Sequence, residues 1–162
     1  MGPTTDDRRA TLTLPSESQI LVTRAFAARR GLVYRAWTTP DLIRRWWHAN
    51  RGEMTVADVD LRVGGRWRFA MTTPGGDEVA FHGEYREIVP GERIVSTEVF
   101  EGAPDAEALG SVTFTDHGDG TLASILMDYG TKEIRDIVLA TGMEDGLQDA
   151  LGLLEHAACS LA

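Results

Sequence analysis

The sequence predicts an α+β fold: a single seven-stranded curved antiparallel sheet, two short helices after its first strand, and one long C-terminal helix across its concave face. Three observations predict it. Residues 53–130 are a succession of β-branched and aromatic runs cut by Gly, Pro and Asp, as in an antiparallel meander. Met143, Leu147, Leu151, Leu154, Ala158 and Leu161 then recur at steps of three and four, the period of a helix with one buried stripe. The 162 residues are the length of one ordinary domain, so sheet and helix must share a core.

The elements follow in order. Residues 1–18, rich in Thr, Ser, Asp and Pro, read as a flexible arm ahead of a domain at 19–162, although Thr11–Leu14 has the composition of a short edge strand. QILVTRAF, from Gln19, is the first strand of the domain. Leu32, Val33, Ala36 and Trp37 are at helical spacing over 31–38, Pro40 stops that helix, and 41–47 supplies a second. Six strands are expected at 54–61, 66–72, 79–88, 93–100, 111–115 and 121–129, with turns at Gly64-Gly65, Pro74-Gly75-Gly76-Asp77, Pro90-Gly91 and Gly118-Asp119-Gly120. Ile134, Ile137 and Val138 mark a short helix before the long one, which must cover the apolar face of the sheet.

Composition narrows the function. Sixteen Lys and Arg against 25 Asp and Glu give a net charge of -9, which repels a phosphate backbone, so no nucleic acid partner is expected. The single cysteine, Cys159, has no disulfide partner within the chain and is expected to be a small buried hydrophobe. No apolar run approaches the roughly 20 residues of a membrane span, and acids stand where a signal peptide carries its apolar stretch, so a cytoplasmic location is expected. His48, His82, His117 and His156 have no metal-ligand spacing, and GxSxG, P-loop and GxGxxG motifs are absent. No metal or cofactor is expected.

Five segments in order carry a likeness: LVYRAWTTP at 32–40, RWW at 45–47, DLRVGGRWR at 60–68, GEYREIVP at 83–90 and GMEDG at 142–146. Together they resemble the START-like SRPBCC superfamily, in the branch related to the activator of the heat-shock-protein-90 ATPase. The resemblance implies the helix-grip fold, in which the sheet wraps the long helix and leaves a cavity between them. Members bind lipids, hormones or polyketides, and some are cyclases or chaperone regulators. Two positions depart from the family pattern: Arg29 stands where a proline is common, and Leu147 where a tryptophan is common. The smaller side chain leaves more room.

Three readings of function follow. The first is binding of a small hydrophobic or aromatic molecule between sheet and helix, lined by Trp37, Trp67, Phe69, Met71, Phe81, Tyr85, Phe114, Met127, Met143, Leu147 and Leu151. Aromatic rings supply stacking faces, and thioethers adapt to irregular ligands; a filled core would use the same residues. The second is a protein-interaction module, monomer or homodimer, docking an acidic partner at Arg44, Arg45, Trp46 and Trp47. Trp46 and Trp47 cannot both point inward from one helix. The third is a polyketide-cyclase-like enzyme using Tyr85, Tyr129 or His82, with Glu84 and Asp128 as further acid–base candidates. Strand parity sets His82 and Glu84 opposite Phe81 and Tyr85, towards solvent. Gly142, Gly146 and Gly152 each cost about 1 kcal/mol in a helix and mark either a close approach or, at Gly142, a helix break.

Overall fold

The computed structural model describes residues 9–162, so the arm reading for residues 1–8 lies outside the described residues. Eight strands form one antiparallel sheet: β1 Thr11–Thr13, β2 Gln19–Phe26, β3 Glu53–Val59, β4 Arg66–Thr72, β5 Glu78–Val89, β6 Arg93–Phe100, β7 Glu107–His117 and β8 Gly120–Asp128. Their order is β1-β2-β8-β7-β6-β5-β4-β3. The expected seven strands become eight because Thr11–Thr13 pairs with Leu21–Thr23 and tucks Leu12 against the core. Everything from β3 to β8 is a meander, and among the described strand pairings only that of β8 with β2 joins segments distant in sequence.

Four helices accompany the sheet: α1 Arg30–Thr38, α2 Pro40–Ile43, α3 Lys132–Ala140 and α4 Met143–Cys159. Proline opens α2, where its missing N–H costs no hydrogen bond. The helix expected over 41–47 stops at Ile43 and gives way to turns that end at Ala49 and Asn50, both at positive φ. That unwinding lets the adjacent tryptophans point in different directions. Gly142 has φ +78° at the joint between α3 and α4, a conformation that favours glycine, so it marks the helix break. No close approach explains the other two glycines. A Cβ at Gly152 would meet nothing, and at Gly146 only the Arg51 guanidinium at 3.8 Å.

Strand parity divides the sheet. Ile20, Val22 and Phe26 of β2, Ile94 of β6, Val112 and Phe114 of β7 and Ala123 of β8 share one core with Leu151, Leu154, Ala157 and Ala158 of α4 and Val33 and Ala36 of α1. This is the concave face, and α4 covers it. The helix leans chiefly on α1 rather than on any strand. Its second half is anchored beneath by a buried ion pair, Arg24 Nη1 to Glu155 Oε2 at 3.0 Å, while Glu155 Oε1 accepts the Ala27 amide. Cys159 is exposed rather than buried, because the buried stripe leaves the last turn through Ala157 and Ala158.

Candidate functional site

The rings of the concave face form two groups, one densely filled and one whose side chains stay only half-buried. In the densely filled group Phe114 packs edge-on to Tyr34 and Trp37, at ring distances of 5.7 and 5.4 Å, and Trp37 lies 5.5 Å from Trp46. Trp46 is buried, and its indole N–H donates to the Ala36 carbonyl at 2.9 Å. Phe114 and Leu151 are almost wholly buried. Of the expected ligand-lining residues, Trp37, Phe114 and Leu151 stand in this densely packed group. Of the expected docking patch, Arg44 and Arg45 remain exposed, but the burial of Trp46 removes half its apolar centre.

In the second group the rings of Trp67 and Phe69 lie 4.9 Å apart, Trp47 packs edge-on to Phe69 and Phe81 at 5.8 and 5.7 Å, and Phe81 lies 5.0 Å from Phe100. Phe69, Phe81 and Trp47 are half-buried and Phe100 is exposed. Met127, Tyr129, Met143 and Leu147 are also half-buried, although their strand and helix phases put them on the inner side. Met71 stands at the far margin, opposite Met54 and Val79.

The registers draw a row across this floor. Trp67 pairs with Gly83, Gly83 falls opposite Glu98 between the pairs His82–Val99 and Tyr85–Ser96, and Glu98 pairs with Ala108. Tyr129 stands beside Ala108, one step beyond the Leu109–Asp128 pair. A Cβ at Gly83 would strike the Thr97 carbonyl and come within 2.6 Å of the Trp67 indole nitrogen, so the indole lies over a residue that must be glycine. That indole N–H is buried with no acceptor. Burial pushes the Glu98 carboxyl up to about 7. Tyr129 is also raised, first by burial and then by the negative charge of Glu98. Burial likewise raises Tyr85, which sits beside Tyr34 and Asp60.

The other acid–base candidates face away. His82 Nδ1 contacts Glu101 Oε2 at 2.9 Å on the convex side, where Arg68 grips the same carboxylate through two hydrogen bonds of 2.9 Å. Glu84 lies near Arg86, and Asp128 accepts the Gly130 amide. Parity thus removes His82, Glu84 and Asp128 from the site. Glu98, Phe100 and Trp47 were not among the ligand-lining residues expected from sequence. Among the described residues no cluster of His, Cys, Asp and Glu could hold a metal ion, and no helix is long and apolar enough to cross a membrane.

An open antiparallel sheet gripping a long C-terminal helix defines a helix-grip protein. Residues 27–158 match the family described as "Activator of Hsp90 ATPase homolog 1-like protein", and the chain belongs to that family. A crystal structure of a protein from Rhodobacter sphaeroides is similar at TM-score 0.88 and 25% identity, covering 94% of this chain and 99% of that one. A protein from Chromobacterium violaceum gives 0.73 at 28% identity, over 86% of this chain and 99% of that one. An AHSA1-like protein from Aeromonas hydrophila gives 0.66 at 22% identity, over 88% and 93%. No curated protein matches the chain.

Proposed function

We propose that the protein binds a small hydrophobic, ring-bearing molecule in the cleft between the sheet and the first turns of α4. One observation carries this reading: Phe69, Phe81, Met127, Tyr129, Met143 and Leu147 converge on the concave side yet stay only half-buried. Apolar surface that converges without being covered gains about 25 cal/mol per Å² when a ligand covers it. The edge-on ring pairs supply faces suited to an aromatic guest. Leu147, in place of the bulkier residue common in relatives, adds room. The protein-docking reading keeps two exposed arginines but lacks the desolvated aromatic anchor on which such interfaces depend.

Titration with 1-naphthalenemethanol, followed by tryptophan fluorescence, tests this reading. Saturable quenching is expected, because Trp47 and Trp67 border the cleft. Leu147→Trp, with its fold checked by circular dichroism, should weaken binding at least tenfold by filling the space. Absence of a saturable signal, or an unchanged Kd in Leu147→Trp, would refute it.

A further inference from the structure

The floor of the cleft holds one ionisable group that a purely apolar ligand leaves unused. Glu98 stands between Gly83 and Ala108, neighbours too small to cover its side chain, with Trp67 and Tyr129 as the next residues in the row. It is half-buried by surface area, and its oxygens are not sealed, although protein surrounds it. That is the condition of a group facing an interior cleft. Among the described residues, no hydrogen bond or ion pair joins Glu98 to any other residue. The two buried arginines are both engaged elsewhere, Arg24 with Glu155 at 3.0 Å and Arg135 with Asp136 at 3.0 Å and the Ser16 carbonyl at 2.8 Å. A buried carboxylate without a counter-charge is costly unless a cation arrives to pair with it.

The surroundings specify that cation. Trp47, Trp67, Phe69, Phe81 and Phe100 form a linked group of rings beside Glu98, and ring faces attract ammonium groups while covering the hydrocarbon attached to them. Building on the cleft-binding reading above, we propose that the cleft selects hydrophobic amines, with Glu98 as the counter-ion of the ligand's ammonium group and the ring cluster as the wall around its apolar body. An anionic guest would meet the Glu98 carboxylate, and a neutral one would leave it unpaired.

The electrostatics around Glu98 are simple. Tyr129, just past the end of β8, is the titratable side chain that faces it, and Tyr85 of β5 stands a row away beside Tyr34 and Asp60. From α4, Met143 and Leu147 lie on this side, while Glu144 and Asp145 are exposed. An ammonium group in the cleft would therefore act on Glu98 directly, lowering its proton affinity from a midpoint near 7 and releasing up to about half a proton at pH 7.

Three probes that share a naphthalene ring test the assignment: 1-naphthylmethylamine, 1-naphthalenemethanol and 1-naphthoate, each titrated by calorimetry at pH 7 in two buffers of different ionisation enthalpy. The amine is expected to bind at least tenfold more tightly than the alcohol, the acid most weakly, and only amine binding should release protons. Glu98→Gln should abolish both the preference for the amine over the alcohol and the proton release. An amine no tighter than the alcohol, or a preference that survives in Glu98→Gln, overturns the amine assignment and leaves the cleft reading standing. Failure of all three probes to bind overturns both. Should Glu98→Gln not fold, the proton release of the unaltered protein decides, and its absence overturns the assignment.

Discussion

At Glu98 the cost of burying a carboxylate reaches the stability of the whole chain. Its midpoint is about 7 in the folded protein against an ordinary 4.5, so between those values the folded chain keeps a proton that the unfolded chain has lost. Stability therefore falls as pH rises from about 4.5 to about 7, and the loss above that window is about 3 kcal/mol. Glu98→Gln should gain about 2 to 3 kcal/mol over the wild type at pH 8 and almost nothing at pH 4, measured by urea denaturation at both. Equal gains at the two pH values would contradict the burial of this group. Glu101 behaves in the opposite sense: Arg68 and His82 pull its carboxyl down to about 2, so its contribution is present above about 4.5 and is lost as pH falls through about 2. This residue-scale contrast was not legible in the sequence. In RIVSTEVF the set Val95, Thr97 and Val99 is the more apolar, which points Glu98 outward, yet Thr97 and Val99 are buried on the convex side while Glu98 shares the inner face with Ile94. A strand covered on both faces defeats an argument from alternation.

At the scale of the element, α4 is one helix with two environments. Leu151 and Leu154 are almost wholly buried, whereas Leu147, one turn earlier on the same stripe, is half-exposed. Leu151→Ala is expected to cost about 2 to 5 kcal/mol and Leu147→Ala less than about 1.5 kcal/mol, because only the first leaves a cavity in a packed core. Chemical denaturation of the two variants checks the difference, and equal losses would mean that the cleft is filled. The stripe itself was readable from its spacing, as were the positions of β2, β4, β5, β6 and β8, because Gly and Pro turns punctuate them, whereas β7 starts at Glu107 rather than at the expected 111. The end of α2 was not. Nothing in DLIRRWW breaks a helix, yet α2 stops at Ile43, and in the turns that follow the Trp46 indole N–H donates to the Ala36 carbonyl. The core roles of Trp37 and Phe114 were equally hidden, since an aromatic residue reads the same whether it faces a ligand or a neighbour.

At the scale of the whole molecule, the open sheet is hydrogen-bonded without a break from β2 through β8 to β3, and α4 is pinned unevenly. Glu155 is tied to Arg24, Asp149 to Arg51 at 2.8 Å, and Gln148 to both backbone groups of Ala10 at 2.9 and 2.8 Å. Beyond Gln148, towards Met143, the helix runs over the cleft to a left-handed glycine joint, with a further glycine at 146. Backbone hydrogen bonds break most readily where few buried contacts hold a segment, so α4 should show a gradient of amide hydrogen exchange. Amides of Ala150–Leu154 and beyond should exchange only with the deepest opening of the core, while those near Leu147 should exchange through cheaper local fraying. A ligand seated against Met143 and Leu147 should slow only the second class. Exchange followed by NMR with and without 1-naphthylmethylamine would show the gradient flattening from its fast end, giving a readout of occupancy along the backbone.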